Sequence, residues 1–374
     1  MKISISQGVR TVERIFSTKF LKGKKVMVTG HSGFIGSWLT QLLVLEKCEI
    51  LGYSLKTPSR PNLHDILKLE SKITEVKGDI RDKDLLTRVV KDFDPEIVYH
   101  LASQPIVKES YEHPEETYVT NVIGTVNLLA SLKKGGSAKT IVVMTSDKVY
   151  KNNEVGTPFT ESDALGGNDP YSASKVCQDV VVNSFRESYF SSSGVGISSV
   201  RAGNVIGGGD WGEMRIVPDI VRRLSKSQPV NLRNPDSTRP WQYVLDLISG
   251  LFHLTERMLF STSFAGDWNI GPIMSEPTTV KELTEKILFI WGEGKYSVAG
   301  SNEVIETKHL ELDISKARNM LGWIPLFDLD RTLKETIEWY KSYYTRKADM
   351  QLRTNSAIRR YLTNSNSVKE QFSS

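Results

Sequence analysis

The fold is decided by the stretch Val26-Met27-Val28-Thr29-Gly30-His31-Ser32-Gly33-Phe34-Ile35-Gly36. A short β-branched run leads directly into the spacing G-x-x-G-x-x-G, which opens an amphipathic segment. Gly30 permits a tight turn, Gly33 lets the backbone approach a pyrophosphate, and Gly36 lets the helix pack closely on the strand. The start of this helix offers free N–H groups to phosphates. The predicted cofactor-binding residues of the turn are Gly30, Ser32, Gly33, Phe34, Ile35 and Gly36.

Downstream of this turn, β-branched runs alternate with longer amphipathic segments. Strands are predicted at 26–29, 50–55, 73–76, 97–101, 141–145 and 197–200, and helices at 34–46, 83–92, 117–132 and 170–189. Strands separated by helices of this length form right-handed βαβ units and a parallel sheet that is buried on both faces. We therefore predict an α/β fold with a doubly wound parallel (Rossmann) sheet, whose ligands bind at the carboxyl ends of the strands.

The pattern divides the chain into three parts. A cofactor-binding Rossmann domain spans 21–203, with later strands interleaved, and 204–343 mainly form a smaller C-terminal substrate lobe. Past Gly203, glycine-, tryptophan- and proline-containing segments replace the regular alternation. Residues 344–374 are polar and end in Ser- and Asn-rich sequence, which predicts a frayed tail.

Composition argues against several classes of protein. The 374 residues carry a net charge of only +4, and much of the basic excess lies near the two ends, so neither a nucleic-acid groove nor a membrane-surface helix is indicated. No stretch approaches the roughly 18 apolar residues that span a membrane. Charges such as Arg10 and Arg14 interrupt the N-terminal apolar pattern, which argues against a secretion signal. We expect a cytoplasmic protein.

Cysteine and histidine usage argues against disulfides and metals. The two cysteines, Cys48 and Cys177, give no disulfide framework and suit a reducing compartment. The six histidines form no H-x-x-x-H or similar pair. We therefore predict no metal site, and catalysis without a metal.

The ends of the third and fourth predicted strands suit a dinucleotide. Asp79, next to Ile80, can accept a hydrogen bond from an adenine amino group. Leu101, Ala102 and Ser103 are small or apolar and leave room for a ribose and pyrophosphate. We predict that all five bind the cofactor.

The second strand lacks the acidic residue that usually holds the adenosine ribose. Ser54 is predicted to make a weaker hydrogen bond there, whereas Lys56 or Arg60 would tolerate a 2′-phosphate. This strand therefore leaves the choice between NAD and NADP open.

A Y-x-x-x-K pair begins the helix that follows the fifth strand. The spacing places Tyr171 and Lys175 on one face of the helix. An ammonium near a phenol favours the phenolate, so Tyr171 can take a proton from a substrate hydroxyl while hydride leaves the same carbon for a nicotinamide. We predict that both residues are catalytic and that both contact the cofactor.

The fifth strand ends in Ser146-Asp147-Lys148. Ser146 is positioned to hydrogen-bond a substrate oxygen beside Tyr171. Asp147 and Lys148 add an acid and a base that alcohol oxidation does not require, which indicates a second proton transfer. We predict that all three are catalytic.

These motifs resemble the extended short-chain dehydrogenase/reductase family of nucleotide-sugar enzymes, over about 21–343. Further matching segments are His100–Pro105, Leu165–Gly167, Asp169–Ser172, Arg201–Trp211 and Arg239–Gln242. Lys148 stands where the dTDP- and GDP-sugar dehydratases of the family are similar in carrying glutamate, and this favours the branch that acts on CDP-glucose. Ile35 departs from the lysine that is common in the family.

The resemblance implies NAD as cofactor and CDP-glucose as substrate. In the implied reaction Tyr171 initiates oxidation at C4, which acidifies the C5 proton. Asp147 then protonates the departing 6-hydroxyl, Lys148 takes the base position, and hydride returns to C6. The product is a 4-keto-6-deoxy sugar.

The resemblance also implies contacts with the rest of the substrate. Gln104 and Asn204 are predicted to bind substrate, and Arg239 to hold its pyrophosphate. Trp211 and Trp241 offer stacking surfaces or pack in the core. Homo-oligomerisation through 117–132 and 170–189 is implied as well.

Two other functions stay open on the sequence. One is a 4-epimerase or a dehydratase for another nucleotide sugar, although an epimerase has no use for the Asp147–Lys148 pair. The other is a non-catalytic dinucleotide sensor, which would have no need to keep Tyr171 and Lys175.

Overall fold

A parallel sheet of seven strands is the centre of the part of the chain that the computed structural model describes, residues 17–152, 156–273, 278–298, 310–346 and 348–367. The interrupted N-terminal pattern around Arg10 and Arg14 lies outside these residues. In chain order the strands of the whole structure are β1 (Lys25–Thr29), β2 (Glu49–Ser54), β3 (Thr74–Lys77), β4 (Ile97–His100), β5 (Thr140–Met144), β6 (Gly196–Ala202), β7 (Val205–Ile206), β8 (Val230–Leu232), β9 (Gln242–Tyr243), β10 (Asp267–Ile270) and β11 (Tyr296–Val298).

The strand order confirms the predicted doubly wound sheet. It runs β10-β6-β5-β4-β1-β2-β3, and every pairing is parallel. The order reverses between β1 and β4, which is where doubly wound sheets bind their ligands. Strand β10 comes from the predicted substrate lobe and completes the sheet beside β6. Two small parallel pairs, β8 with β11 and β7 with β9, lie outside it.

Helices cover both faces of the sheet. The α-helices are α1 (Phe34–Leu45), α2 (Leu63–Ile66), α3 (Lys83–Phe93), α4 (Val107–Glu112), α5 (Pro114–Tyr118), α6 (Gly124–Leu132), α7 (Pro170–Phe185), α8 (Ile216–Leu224), α9 (Val244–Phe260), α10 (Val280–Trp291), α11 (Leu329–Tyr344) and α12 (Met350–Ser367). A π-helical turn, Val119–Ile123, joins α5 to α6, and another, Arg186–Phe190, extends α7.

Two apolar clusters, one on each side of the sheet, hold these layers together. One packs α3, α6 and α7 against the sheet through side chains such as Leu86, Leu128 and Val182. The larger cluster packs α1, α9, α11 and α12 through side chains such as Leu39 and Leu251. Because the strands are buried from both sides, their β-branched runs are continuous rather than alternating.

The expected frayed end is wrong for Met350–Ser367, which forms α12. Ala357, Ile358 and Tyr361 are buried on one face of this helix, and the Tyr361 hydroxyl donates to Asp246 Oδ1 at 2.5 Å. Three apolar contacts at helical spacing suffice to dock a helix that is otherwise polar. Residues 368–374 of the predicted tail lie outside the described part of the chain.

None of the described helices is both long enough and apolar enough to span a membrane.

Candidate active site

The glycine turn between β1 and α1 has the geometry that the spacing predicts. Gly30 has φ of +73°, and a Cβ there would lie 2.7 Å from the backbone nitrogen of Ala102. A Cβ on Gly36 would collide with the Gly30 carbonyl. No side chain caps α1 at Gly33, so the N–H groups of its first turn are available to an anion.

Ser32 and Ser54 lie beside this turn and are already hydrogen-bonded. Ser54 Oγ donates to Ser32 Oγ at 2.8 Å, and Ser32 Oγ donates to the Leu55 carbonyl at 3.5 Å. Ser54 Oγ also lies 3.1 Å from Nδ1 of His31. The predicted ribose contact of Ser54 would therefore have to compete with bonds inside the protein.

The ends of β3 and β4 complete this part of the sheet edge. Side-chain and backbone hydrogen bonds from Arg81, together with its charge, hold the pKa of Asp79 below its usual range. Ile80 packs under α6. Leu101 and Ala102 contribute the backbone that closes on Gly30. Ser103 follows them in the same irregular segment.

Gln104 has an internal role in this structure. Its amide nitrogen donates to the Ile106 carbonyl at 3.1 Å and to Thr117 Oγ1 at 2.8 Å, and its oxygen accepts from the Ile106 N–H at 2.5 Å. These bonds fix the loop between β4 and α4, so the predicted substrate contact of Gln104 stays a prediction.

The segment after β5 forms a buried acid–base cluster. Ser146 caps the 3₁₀ turn Asp147–Val149 and donates to Asp147 Oδ1 at 3.1 Å. Lys148 Nζ lies 3.7 Å from the same oxygen. The other oxygen, Asp147 Oδ2, is buried and has no hydrogen-bond partner in the described residues. A buried acceptor without a partner is costly, and this one lies against Gly203, where a Cβ would come within 2.4 Å of it.

Helix α7 brings Tyr171 to this cluster. Asp169 caps the helix by accepting from the Ser172 N–H at 2.9 Å, and Pro170 occupies its first turn. Burial raises the pKa of Tyr171, whereas the charge of Lys148 and a hydrogen bond with Ser146 act to lower it. The phenol therefore lies beside Ser146 and within the field of the Asp147–Lys148 pair.

Lys175 shares the buried face of α7 with Tyr171, as predicted from the spacing, but the electrostatics differ. Its Nζ donates to Gln178 Oε1 at 2.9 Å, and burial lowers its pKa to about 7. The cations that act to lower the pKa of Tyr171 are instead Lys148 and Arg215. Desolvation weakens the ammonium form of a buried lysine, so the spacing alone overstated its effect on the tyrosine.

Sequence reasoning missed Arg215. It precedes α8 and pairs with Asp210 at 2.9 Å, in a segment that no local motif marks as part of the site. The available signal was its position four residues after Arg201–Trp211, a segment that matches the family.

The remaining predicted substrate residues lie after β6 and before β9. Asn204 Nδ2 is buried and has no hydrogen-bond partner in the described residues. Arg239 Nη1 donates to the Thr238 carbonyl at 2.7 Å. Trp211 packs against Trp339 and is buried, and so is Trp241, which favours the core-packing interpretation of both tryptophans.

Comparisons with known proteins show the family to which the chain belongs. A family model described as GDP-mannose 4,6 dehydratase matches residues 27–336. The chain is 42% identical to a CDP-glucose 4,6-dehydratase of Salmonella typhimurium (strain LT2) over 351 residues, which cover 92% of this chain and 98% of that protein.

Two solved structures are similar as well. A dTDP-glucose 4,6-dehydratase from Bacillus anthracis in complex with NAD is 26% identical with a TM-score of 0.73, covering 86% of this chain and 97% of that one. A UDP-glucose 4-epimerase from Thermotoga maritima with UDP-glucose is 25% identical with a TM-score of 0.74, covering 85% and 99%.

Proposed function

The chain belongs to the GDP-mannose 4,6-dehydratase family, and from that premise we propose that it is a hydro-lyase that converts CDP-glucose into CDP-4-keto-6-deoxyglucose. The observation that carries this proposal is the Asp147–Lys148 pair, which lies beside Tyr171 and leaves one buried carboxylate oxygen unbonded. A 4-epimerase needs the tyrosine but not this pair. The 42% identity to a CDP-glucose 4,6-dehydratase supports the choice of nucleotide.

The cofactor is NAD. Gly30, Gly33 and the uncapped first turn of α1 fit its pyrophosphate, because the turn admits no Cβ at Gly30 and offers free N–H groups. Asp79 and Ile80 would meet the adenine, and Leu101–Ser103 the adjoining ribose. Bound there, NAD would supply a hydride acceptor for the oxidation and, once reduced, a hydride donor.

Tyr171 starts the reaction by taking the proton of the 4-hydroxyl. Ser146 holds the substrate oxygen and keeps the phenol in place. The neighbouring Lys148 favours the phenolate that this step requires. Lys175, with its pKa lowered to about 7, supplies a hydrogen-bond donor on the same face of α7.

The Asp147–Lys148 pair then eliminates water. Moving one proton across the 3.7 Å between them converts an ion pair into a neutral acid and a neutral base without changing the total charge. Lys148 removes the C5 proton while Asp147 protonates the departing 6-hydroxyl. Lys148 afterwards returns its proton to C5.

Ser146 closes the proton cycle. After one turnover Tyr171 holds the proton from the 4-hydroxyl, and Asp147 lacks the proton that left with water. Ser146 donates to Asp147 Oδ1 and lies close enough to Tyr171 to affect its pKa, so its hydroxyl could pass one proton from the phenol to the carboxylate. The atoms then balance as the loss of one water, with no net redox change.

The far half of the substrate would be bound by Asn204, Arg239 and Gln104. Asn204 supports this assignment because its buried amide nitrogen has an unused donor. A guanidinium such as that of Arg239 suits a diphosphate, which it can bind through two parallel hydrogen bonds.

The test is incubation of the full chain with NAD and each of CDP-glucose, dTDP-glucose, UDP-glucose and GDP-mannose. We expect the alkali-induced absorbance of a 4-keto-6-deoxy sugar only with CDP-glucose. Turnover of another nucleotide sugar in preference to CDP-glucose would overturn the substrate. Formation of a C4 epimer would overturn the reaction itself.

We also propose that the protein is a homo-oligomer built on the helices from α5 to α6 and on α7. Val119, Ile123, Val180 and Tyr189 on this face are 40–54% exposed in the single chain. Sedimentation should show a dimer or larger, and the double variant Ile123→Asp/Val180→Asp should be a monomer. Phe289→Asp, at an exposed apolar position on α10, should leave the size unchanged.

The proposed setting is the cytoplasm, with no nucleic-acid or membrane partner. Both cysteines are unpaired, which suits a reducing compartment. The small net charge of +4 gives little attraction to polyanions. Fractionation of source cells with an antibody to the chain should recover it with the cytoplasmic fraction.

A further inference from the structure

Three ionisable side chains from separate segments meet beside the glycine turn. His31 belongs to the turn itself, His64 to α2, and Glu75 to β3. Glu75 Oε1 lies 3.9 Å from His31 Nε2, and Glu75 Oε2 lies 3.3 Å from His64 Nε2. The three potential ligand atoms all lie within 4.8 Å of one another. The side chains are only 0%, 4% and 14% exposed, so this cluster is largely removed from solvent.

Hydrogen bonds to Nδ1 fix the tautomer of both imidazoles. Ser54 Oγ gives its own proton to Ser32, so it must accept the hydrogen bond from His31 Nδ1. Nδ1 of His64 lies 3.2 Å from a carboxylate oxygen of Asp65, which can only accept. Nδ1 therefore carries a proton in each ring, and when neither Nε2 is protonated both present a lone pair to the cluster.

No described group satisfies these lone pairs. His31 Nε2, His64 Nε2 and Glu75 Oε2 are all buried and lack a hydrogen-bond partner among the described residues. Two lone pairs and a carboxylate that converge in a buried space repel one another unless a cation lies between them.

We propose that His31, His64 and Glu75 bind one divalent transition-metal ion of the Zn²⁺ class. Two imidazole nitrogens and a carboxylate oxygen are a donor set that Zn²⁺ accepts. Tetrahedral bonds of about 2.0–2.1 Å place ligand atoms about 3.3–3.4 Å apart. The 3.3 Å between Glu75 Oε2 and His64 Nε2 already matches this value. The set as a whole, whose atoms lie within 4.8 Å of one another, would contract by up to about 1.5 Å around an ion.

The surroundings of the cluster are also those of a metal site. Metal-bound histidines usually donate their second ring N–H to a carboxylate or another acceptor, as His64 does to Asp65 and His31 to Ser54. A Cβ at Gly52 would lie 2.6 Å from the His31 ring, so the glycine makes the space that the ring occupies. The ion would tie β3 and α2 to the glycine turn and take no part in the dehydration.

The experiment is a calorimetric titration of the full chain with Zn²⁺ after chelator treatment. We expect one ion per chain with a Kd below about 1 μM. His64→Gln and Glu75→Gln each remove a ligand and should weaken binding by more than the roughly 10–100-fold that loss of an outer partner costs. Asp65→Asn, which alters only such a partner, should fall within that range.

The matched control is His113→Gln. His113 is exposed, and its Nε2 lies 3.6 Å from Oε1 of Glu109 on α4. It therefore forms a similar histidine–carboxylate pair that is not buried and has no third ligand among the described residues. This variant should bind Zn²⁺ like the wild type. NAD binding by each variant shows whether it has folded.

Two results would overturn the metal site. One is the absence of stoichiometric Zn²⁺ binding by the wild-type chain, which would leave the cluster as a proton-sharing pair. The other is unchanged binding in folded His64→Gln and Glu75→Gln, which would place the ion elsewhere. Co²⁺ provides an independent readout, since His31, His64 and Glu75 should give it the visible absorption of a tetrahedral site.

Discussion

Two corners of the same sheet edge use their polar groups in opposite ways. The cofactor corner consists of the turn Gly30–Gly36 and Ser54. Its side-chain hydroxyls are hydrogen-bonded within the protein, which leaves the backbone N–H groups to bind the cofactor. The reaction corner consists of Ser146–Lys148 and Tyr171. Its side chains lie together, and Asp147 Oδ2 has no hydrogen-bond partner among the described residues. The cofactor corner should therefore bind through the shape of its backbone, whereas the reaction corner should react through its side chains. Substitutions can therefore separate affinity from chemistry.

The largest expected effect is that of Tyr171→Phe in the reaction corner. Loss of the proton acceptor should lower kcat by about 10²–10⁴-fold, as for a general base, and leave the Kd for NAD unchanged. Steady-state kinetics and fluorescence titration with NAD measure the two quantities. Tyr99→Phe is the control, because Tyr99 is also buried but bonds Thr255 on α9. Equal losses of kcat in both variants would contradict the role of Tyr171.

Lys148→Met should separate the steps within the reaction corner. We expect exchange of the C5 proton with deuterated water to fall by about 10²-fold or more, while oxidation at C4, followed by the absorbance of reduced cofactor, persists. Lys151→Met, at an exposed lysine three residues away, should exchange normally. Exchange at the wild-type rate in Lys148→Met would exclude this lysine as the C5 base.

Gly30→Ala tests the cofactor corner. The new alanine would have to adopt a φ of +73°, and its Cβ would lie 2.7 Å from the backbone nitrogen of Ala102. The Kd for NAD should therefore rise by roughly 10-fold or more. Activity at saturating NAD should change little. Gly23→Ala has a similar φ of +75° but open space, and it should leave the Kd unchanged. An unchanged Kd in Gly30→Ala would show that shape is not what binds in this corner.

The smallest expected effect is on stability, through Lys175. Its pKa is about 7 when folded, against 10.5 when unfolded, so the unfolded chain binds more protons between these values. The free energy of unfolding of the cofactor-free protein should therefore rise with pH over this window, by about 1 kcal/mol from pH 7 to pH 8. Urea unfolding of wild type and Lys175→Met measures it. The wild type should show the steeper rise of the unfolding free energy with pH, and equal slopes in the two proteins would mean that burial does not lower the pKa of Lys175.

Local spacing was enough to predict both corners. The glycine turn, Ser146–Lys148 and the Tyr171–Lys175 pair each depend on residues close in sequence, whose geometry the strand and helix dictate. The parallel order of the sheet follows from the same alternation of strands and helices.

What the sequence did not reveal depends on contacts between distant segments. Arg215 reaches the field of Tyr171 from a loop after β7, and His31, His64 and Glu75 meet only when β2 and β3 pair. The lowered pKa of Lys175 could not be predicted from spacing either, because the desolvation that causes it comes from the assembled core. The side-chain amide of Gln104 likewise donates to Thr117 on α5, a contact that spacing does not identify.

Helix α12 also sets the order in which the protein can be completed during synthesis. Gln41 on α1 bonds Asn355 at 2.7 Å, and Gln351 bonds the Leu67 carbonyl at 3.0 Å. Helix α1 is thus hydrogen-bonded to a residue that lies 314 positions later in the chain and is synthesised long after it. Until the ribosome has released that segment, the side-chain amide of Gln41 lacks its partner on α12 and this side of α1 is uncovered.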